Sequence, residues 1–177
     1  MNLLHRVVSR PRRAVSAAAV ALATVAAVAA GTGNAQADSS FTIHVTPNSS
    51  FGLLLDVAGG STSPGGGVIQ WYANGGANQN WTFYSYGNST YEIINGNSNM
   101  CLSTDGVAGD SVYQMPCVGA QYQMWRTPLT PSLIGAATIY NPWSGLYLDV
   151  NGASPWAGAS IDTWYWNGGS NQYFAAI

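Results

Sequence analysis

The chain has no lysine, and its five basic residues are all arginines, four of them before residue 14. Only 7% of its residues are charged. Beyond residue 37 a single cation, Arg126, faces seven carboxylates, a net charge of −6. Such a surface cannot neutralise phosphates, which excludes nucleic acid as a partner. It excludes docking on an anionic membrane for the same reason. Histidine is almost missing, since His44 is the only one after residue 37. A Ser-His-Asp arrangement has little to build on, and a His/Cys metal site has less. No segment beyond residue 40 keeps a helical period, which excludes an α-helical bundle. Cysteine is limited to Cys101 and Cys117.

The one long apolar run lies at the start. Arg6, Arg10, Arg12 and Arg13 precede an Ala/Val stretch from Ala14 to Ala30, and Ala35-Gln-Ala37 offers small residues before Asp38. This predicts a secretory signal peptide over residues 1–37, cleaved near Ala37/Asp38, and hence a secreted protein. The run is Ala-rich and barely long enough to span a bilayer, so membrane insertion is not expected. Whether export uses the general or the twin-arginine route stays open. The remaining 140 residues, 38–177, suit one domain. In an exported chain one cysteine pair predicts a Cys101–Cys117 disulfide, worth about 3 kcal/mol in the chain-entropy model.

What the chain has in quantity is Gly, Asn, Ser, Trp and Tyr, arranged with a period. Val68 to Gln79, Val112 to Gln123 and Ile161 to Gln172 each run eleven residues from an apolar residue to a Gln, and each continues Gln-x-aromatic, ending at Trp81, Trp125 and Phe174. A fixed internal period signals repeated units sharing one core. Short β-rich runs between Gly, Pro, Asn and Ser clusters read as strands. The opening strands are expected at Phe41–Val45, Tyr91–Ile94 and Thr138–Tyr140, and the second strands at Leu53–Val57, Met100–Ser103 and Leu146–Val150. The fold class is therefore all-β, with three pseudo-symmetric four-stranded repeats (41–84, 91–127 and 137–177) and about twelve strands closed around a pseudo-threefold axis. At the cysteine positions the other repeats carry Leu54 with Ala73 and Tyr147 with Trp166, which predicts apolar packing in place of the crosslink.

Leu-Asp-Val, a Gly-rich loop, an apolar-x-x-Trp strand and Asn-Gly-Gly-x-Asn-Gln-x-Trp together resemble the ricin-type β-trefoil lectins, including carbohydrate-binding modules of bacterial glycoside hydrolases. The resemblance covers essentially all of residues 38–177. It implies a β-trefoil and shallow sugar pockets. In each, an Asp accepts hydrogen bonds from hydroxyls, an aromatic ring stacks on the pyranose and an Asn supplies an amide, while the Gln braces the Asp. Carried onto this chain, the first repeat offers Asp56, Ile69, Trp71, Asn78 and Gln79. The third offers Asp149, Asp162, Trp164, Asn171 and Gln172. Asp162 replaces Ile69, so the third pocket should be more acidic, and Trp156 is a candidate second wall for it. The second repeat has Ser103, Met115 and Tyr122 where the Asp, the ring and the Asn belong, and reads as structural. Trp81, Trp125 and Phe174 are expected in the core.

Competing roles stay open at this level. Trp71 and Trp164 could be packing residues, and Asp56 and Asp149 turn caps. Asp149 and Asp162 are the one pair suited to a glycosidase, and a protein-binding or purely structural trefoil would show no glycan affinity. The favoured reading is a non-catalytic, monomeric lectin module without cofactor or metal. Its partner would be a polysaccharide or glycan of galactose, xylose or arabinose type.

Overall fold

The computed structural model describes residues 40–48 and 52–177. The expected leader, residues 1–37, and part of the turn at Pro47–Ser50 lie outside these. Fourteen strands follow one another, joined by turns and short 3-10 segments. They are β1 (Phe41–Ile43), β2 (Val45–Pro47), β3 (Leu53–Val57), β4 (Val68–Tyr72), β5 (Trp81–Gly87), β6 (Thr90–Asn95) and β7 (Cys101–Ser103). The rest are β8 (Tyr113–Met115), β9 (Met124–Arg126), β10 (Ala136–Ala137), β11 (Tyr140–Asn141), β12 (Leu146–Val150), β13 (Ile161–Trp164) and β14 (Phe174–Ala176).

Twelve strands become fourteen because two opening strands are interrupted. β1 pairs with β5 and β2 with β14, and the change of partner falls at His44, whose N–H and C=O both bond Ile177. The third repeat breaks at Thr138-Ile139, where a continuous strand was expected. There β10 pairs with β14 and β11 with β9 and β12, while the Ile139 carbonyl accepts from Leu148 N–H. A strand at a barrel corner must pass from one neighbour to the next, and the backbone bends to do so.

With these pairings the first and fourth strands of the three repeats close into a ring: β1/β2, β5, β6, β9, β11/β10, β14 and back to β2. Closure leaves the ring without an unpaired edge. The remaining strands form three hairpins, β3–β4, β7–β8 and β12–β13. One hydrogen bond recurs at each junction between them: Gly158, Gly65 and Gly109 N–H donate to the carbonyls of Gln70, Gln114 and Thr163, each at 2.8 Å. The loop of one repeat is thus fastened to the third strand of another, with threefold regularity.

The core fills the ring and the hairpin bases. Trp81, Trp125 and Phe174 are wholly buried, as their place in Gln-x-aromatic predicts. Burying an indole requires an acceptor for its N–H. Trp81 donates to the Leu55 carbonyl at 3.0 Å and Trp125 to the Leu102 carbonyl at 2.9 Å. Cys101 and Cys117 form a disulfide across the second repeat. In the third repeat the equivalent Tyr147 and Trp166 pack ring to ring, centroids 5.1 Å apart. In the first, Leu54 is buried but Ala73 is exposed, so the expected pair is only half present.

Candidate sugar-binding clefts

Strand alternation sets Ile69 and Trp71 on one face of β4. Asp56 joins them because it is the register partner of Ile69 on β3. Together with Asn74, Asn78 and Gly60 these residues line an open cleft of about 500 Å³. The Trp71 indole is 40% exposed, while Asp56 at 3% forms part of the lining from below. Gln79, wholly buried, braces the acid, its Nε2 donating to Asp56 Oδ2 at 2.7 Å and to the Tyr72 carbonyl at 2.8 Å. Burial raises the Asp56 pKa, while the Gln79 and Asn78 amides hold it down.

The related cleft of the third repeat, about 430 Å³, is lined by Asp162, Trp164, Asn171, Asn167, Asn151 and Gly152. Trp164 is 42% exposed, close to its counterpart. Each indole also meets the following tyrosine edge-on at 6.0 Å, Tyr72 in one cleft and Tyr165 in the other. The acids differ. Asp149 and Asp162 are register partners on β12 and β13, both about 3% exposed. Asn171 Nδ2 donates to Asp149 Oδ1 at 2.6 Å and Asn151 Nδ2 to Asp162 Oδ2 at 2.7 Å. The other oxygens, Asp149 Oδ2 and Asp162 Oδ1, are buried without a hydrogen-bond partner among the described residues. Burial, with a smaller push from Asp162, raises the Asp149 pKa to about 6, against the Asn171 and Gln172 amides. Burial raises Asp162 as well.

The structure therefore gathers Asp56, Ile69, Trp71 and Asn78 at one cleft and Asp162, Trp164 and Asn171 at the other. Three of the carried-over residues do not line the clefts, two of them the glutamines expected as braces. Gln79 and Gln172 are wholly buried and act as braces, their Oε1 atoms accepting from the N–H of Asn74 and Asn167 at 3.0 Å. Asp149 stands beside Asp162 and is not part of the lining. The amides of Asn78 and Asn171 also face inward in part, donating to the Val57 carbonyl at 3.1 Å and to Asp149 respectively. Trp156 does not line the third cleft. Its carbonyl accepts from Gln70 of the first repeat at 2.8 Å, which draws its loop toward the other cleft.

Asn74 and Asn167 were missed as lining residues. Each accepts from the glycine two residues on, at 2.8 and 2.7 Å, which shapes the cleft lip. Their signal was the Asn-Gly-Gly shared by the two repeats, replaced in the second by Val118-Gly-Ala. Gly158 and Gly109 were missed too. A Cβ at Gly158 would lie 3.4 Å from Trp71 and one at Gly109 3.0 Å from Trp164, so each glycine backs the indole of another repeat.

The second repeat keeps the brace without the cleft chemistry. Gln123 Nε2 donates to Ser103 Oγ at 3.1 Å, and Ser103, wholly buried, donates to the Cys101 carbonyl. Met115 is half-buried, and Tyr122 packs edge-on to Trp143 at 6.5 Å.

Two exposed indoles over buried, braced acids, repeated by pseudo-symmetry around a closed barrel, meet their match in the comparisons. Residues 41–174 match the ricin-type beta-trefoil lectin domain. The chain belongs to this family. Among solved structures it is similar to the designed threefold-symmetric protein ThreeFoil, with a TM-score of 0.70 and 30% identity over 77% of this chain and 97% of that one. It is also similar to 1,3Gal43A, an exo-beta-1,3-galactanase from Clostridium thermocellum, with a TM-score of 0.69 and 27% identity over 79% of this chain and 30% of that one. An earthworm R-type lectin in complex with GalNAc shares the fold at a TM-score of 0.60 and 22% identity, over 76% of this chain and 96% of that one. No curated protein matches the chain in sequence.

Proposed function

We propose that this lectin domain is an exported, non-catalytic carbohydrate-binding module that holds an uncharged glycan or polysaccharide in the first and third clefts. The observation that carries this reading is the contrast among its indoles. Trp81 and Trp125 are sealed in the core, while Trp71 and Trp164 stand open beside acids that the fold takes the trouble to brace. An indole face attracts the apolar face of a sugar ring, and a carboxylate oxygen accepts from its hydroxyls. Galactose-type sugars are the first candidates, given the galactanase and the GalNAc-binding lectin among similar structures.

Open clefts of this kind should bind weakly, with Kd from about 1 mM to 1 μM. Two on one rigid body can gain about 10²–10⁴ on a polymer. A polysaccharide is thus a better ligand than a free monosaccharide. The glycosidase reading is less well supported. Asp149 and Asp162 lie side by side in register, both nearly buried, rather than flanking a space that a glycosidic bond could enter. Retention on galactan, arabinan and xylan tests the proposal. Trp71→Ala and Trp164→Ala should each lose part of it, and the double variant nearly all. Unchanged retention in the double variant, or sugar release abolished by Asp162→Asn, would overturn the proposal.

A further inference from the structure

We infer that Trp156 is an outlying aromatic subsite of the first cleft, taking a second ring of an uncharged oligosaccharide whose first ring lies on Trp71. The inference rests on the sugar-site reading of that cleft. Trp156 belongs to the third repeat in sequence, yet its loop is fastened to β4. Gln70 Nε2 donates to the carbonyls of Ser154 and Trp156, both at 2.8 Å. Gly158 N–H donates to the Gln70 carbonyl at 2.8 Å, and Gln70 N–H to the Ala159 carbonyl at 2.9 Å. The Trp156 backbone is thereby held against the residue next to Trp71, two positions from the glycine that backs the Trp71 ring.

The Trp156 side chain is 74% exposed, more than any other tryptophan of the described residues. The other two junctions separate a structural role from a ligand role. Gln114 Nε2 donates to the Ser63 carbonyl at 3.0 Å, and Thr163 Oγ1 to the Val107 carbonyl at 3.3 Å, so Ser63 and Val107 occupy the place of Trp156. All three junctions use the carbonyl, and the side chain varies from hydroxyl to isopropyl to indole. The fold therefore does not require the ring. The anchored backbone fixes where the indole starts from, so that less freedom is lost when a sugar stacks on it than on a free loop. Asp56 is the only charged residue in the lining of the first cleft, which suits a neutral ligand.

The test uses the full chain carrying Trp164→Ala, so that only the first cleft reports. Galactose, xylose, arabinose and their linear oligomers up to the tetrasaccharide are titrated by calorimetry. Adding Trp156→Ala should leave monosaccharide affinity unchanged and lower tetrasaccharide affinity about five- to tenfold, with Trp156→Phe retaining most of it. Thermal unfolding should be unchanged, since the ring makes no core contact. Three results would overturn the inference: no change with the tetrasaccharide, an equal loss with the monosaccharide, or a loss seen only when Trp71→Ala has silenced the first cleft instead. Failure of the parent reading looks different, because the Trp164→Ala chain would then bind no sugar of any length, and Trp71→Ala would change nothing.

Discussion

The first and third repeats present the same indole at nearly the same exposure, over an acid in the same strand position. They differ in what faces that acid across the hairpin. Ile69 opposite Asp56 gives the first cleft an apolar wall and one carboxylate, accounted for by Gln79. Asp162 opposite Asp149 gives the third cleft a carboxylate in its lining and a second one beneath it, each with one buried oxygen that has no hydrogen-bond partner among the described residues. One substitution in a register position thus turns a braced acid into an electrostatically uneasy pair. The scaffold tolerates it because Asn151 and Asn171 each take one oxygen. The first cleft thus has an apolar wall where the third has an acid.

The largest expected effects test whether the two repeats are equal as scaffolds. Trp81→Ala and Phe174→Ala should each cost about 3–5 kcal/mol in urea unfolding, because both rings are fully buried. Trp81 should stand at the upper end, since its loss also orphans the Leu55 carbonyl. Trp71→Ala should stay within about 0.5 kcal/mol. A Trp71→Ala cost as large as that of Trp81→Ala would mean the exposed indole is a packing residue.

Next comes binding. The double variant Trp71→Ala/Trp164→Ala should lower affinity for a polysaccharide about 100-fold or more in a depletion assay, as both stacking surfaces and their avidity go. Unequal losses in the single variants would show which cleft leads.

A smaller effect distinguishes the acids by pH. An acid whose folded-state pKa lies above its unfolded value binds its proton more tightly when folded. Its contribution is most favourable while protonated and declines as the pH rises between the two values. Asp149, raised from 3.8 to about 6, should make thermal stability fall as the pH climbs from about 4 through about 6 and then level off. Asp149→Asn should flatten that slope. Asp162→Ile, which copies the first cleft into the third, should add up to about 1 kcal/mol at pH 7 by removing a like charge directly opposite. A slope of the opposite sign would mean the pair is stabilised as two anions.

The smallest contrast lies in the glycines behind the indoles. Gly109 and Gly158 have φ of +92° and +91°, so alanine at either should cost about 1 kcal/mol. Only at Gly109 is the new methyl as close as 3.0 Å to the ring. Gly109→Ala should therefore also weaken the third cleft, while Gly158→Ala spares the first. Equal binding losses would show that backbone strain, not ring displacement, sets the effect.

The repeat period and the buried Gln-x-aromatic rings were legible because each is local and recurs at fixed spacing. The disulfide was legible because the chain has only two cysteines, and the joint loss of acid, ring and Asn in the second repeat because the other two repeats supply the pattern it departs from. The resemblance set Trp71 and Trp164 apart from Trp81 and Trp125, but a packing role stayed open until the fold showed both rings exposed. The bracing role of Gln79 followed from the resemblance, but its complete burial did not. Contacts between repeats were out of reach. Nothing near Trp156 in the sequence says that Gln70 will bond its carbonyl, nor does anything near Gly109 mention Trp164. Those contacts join residues scores of positions apart, and they arise only when the barrel closes. The broken strand at Thr138-Ile139 was hidden for a similar reason, since a change of strand partner leaves no mark on local composition.

The glycine-backed indole carries one more implication. Each open cleft is assembled at a seam, its ring from one segment of the chain and the support behind it from another. A lone repeat cut from this chain would carry its tryptophan with nothing at its back.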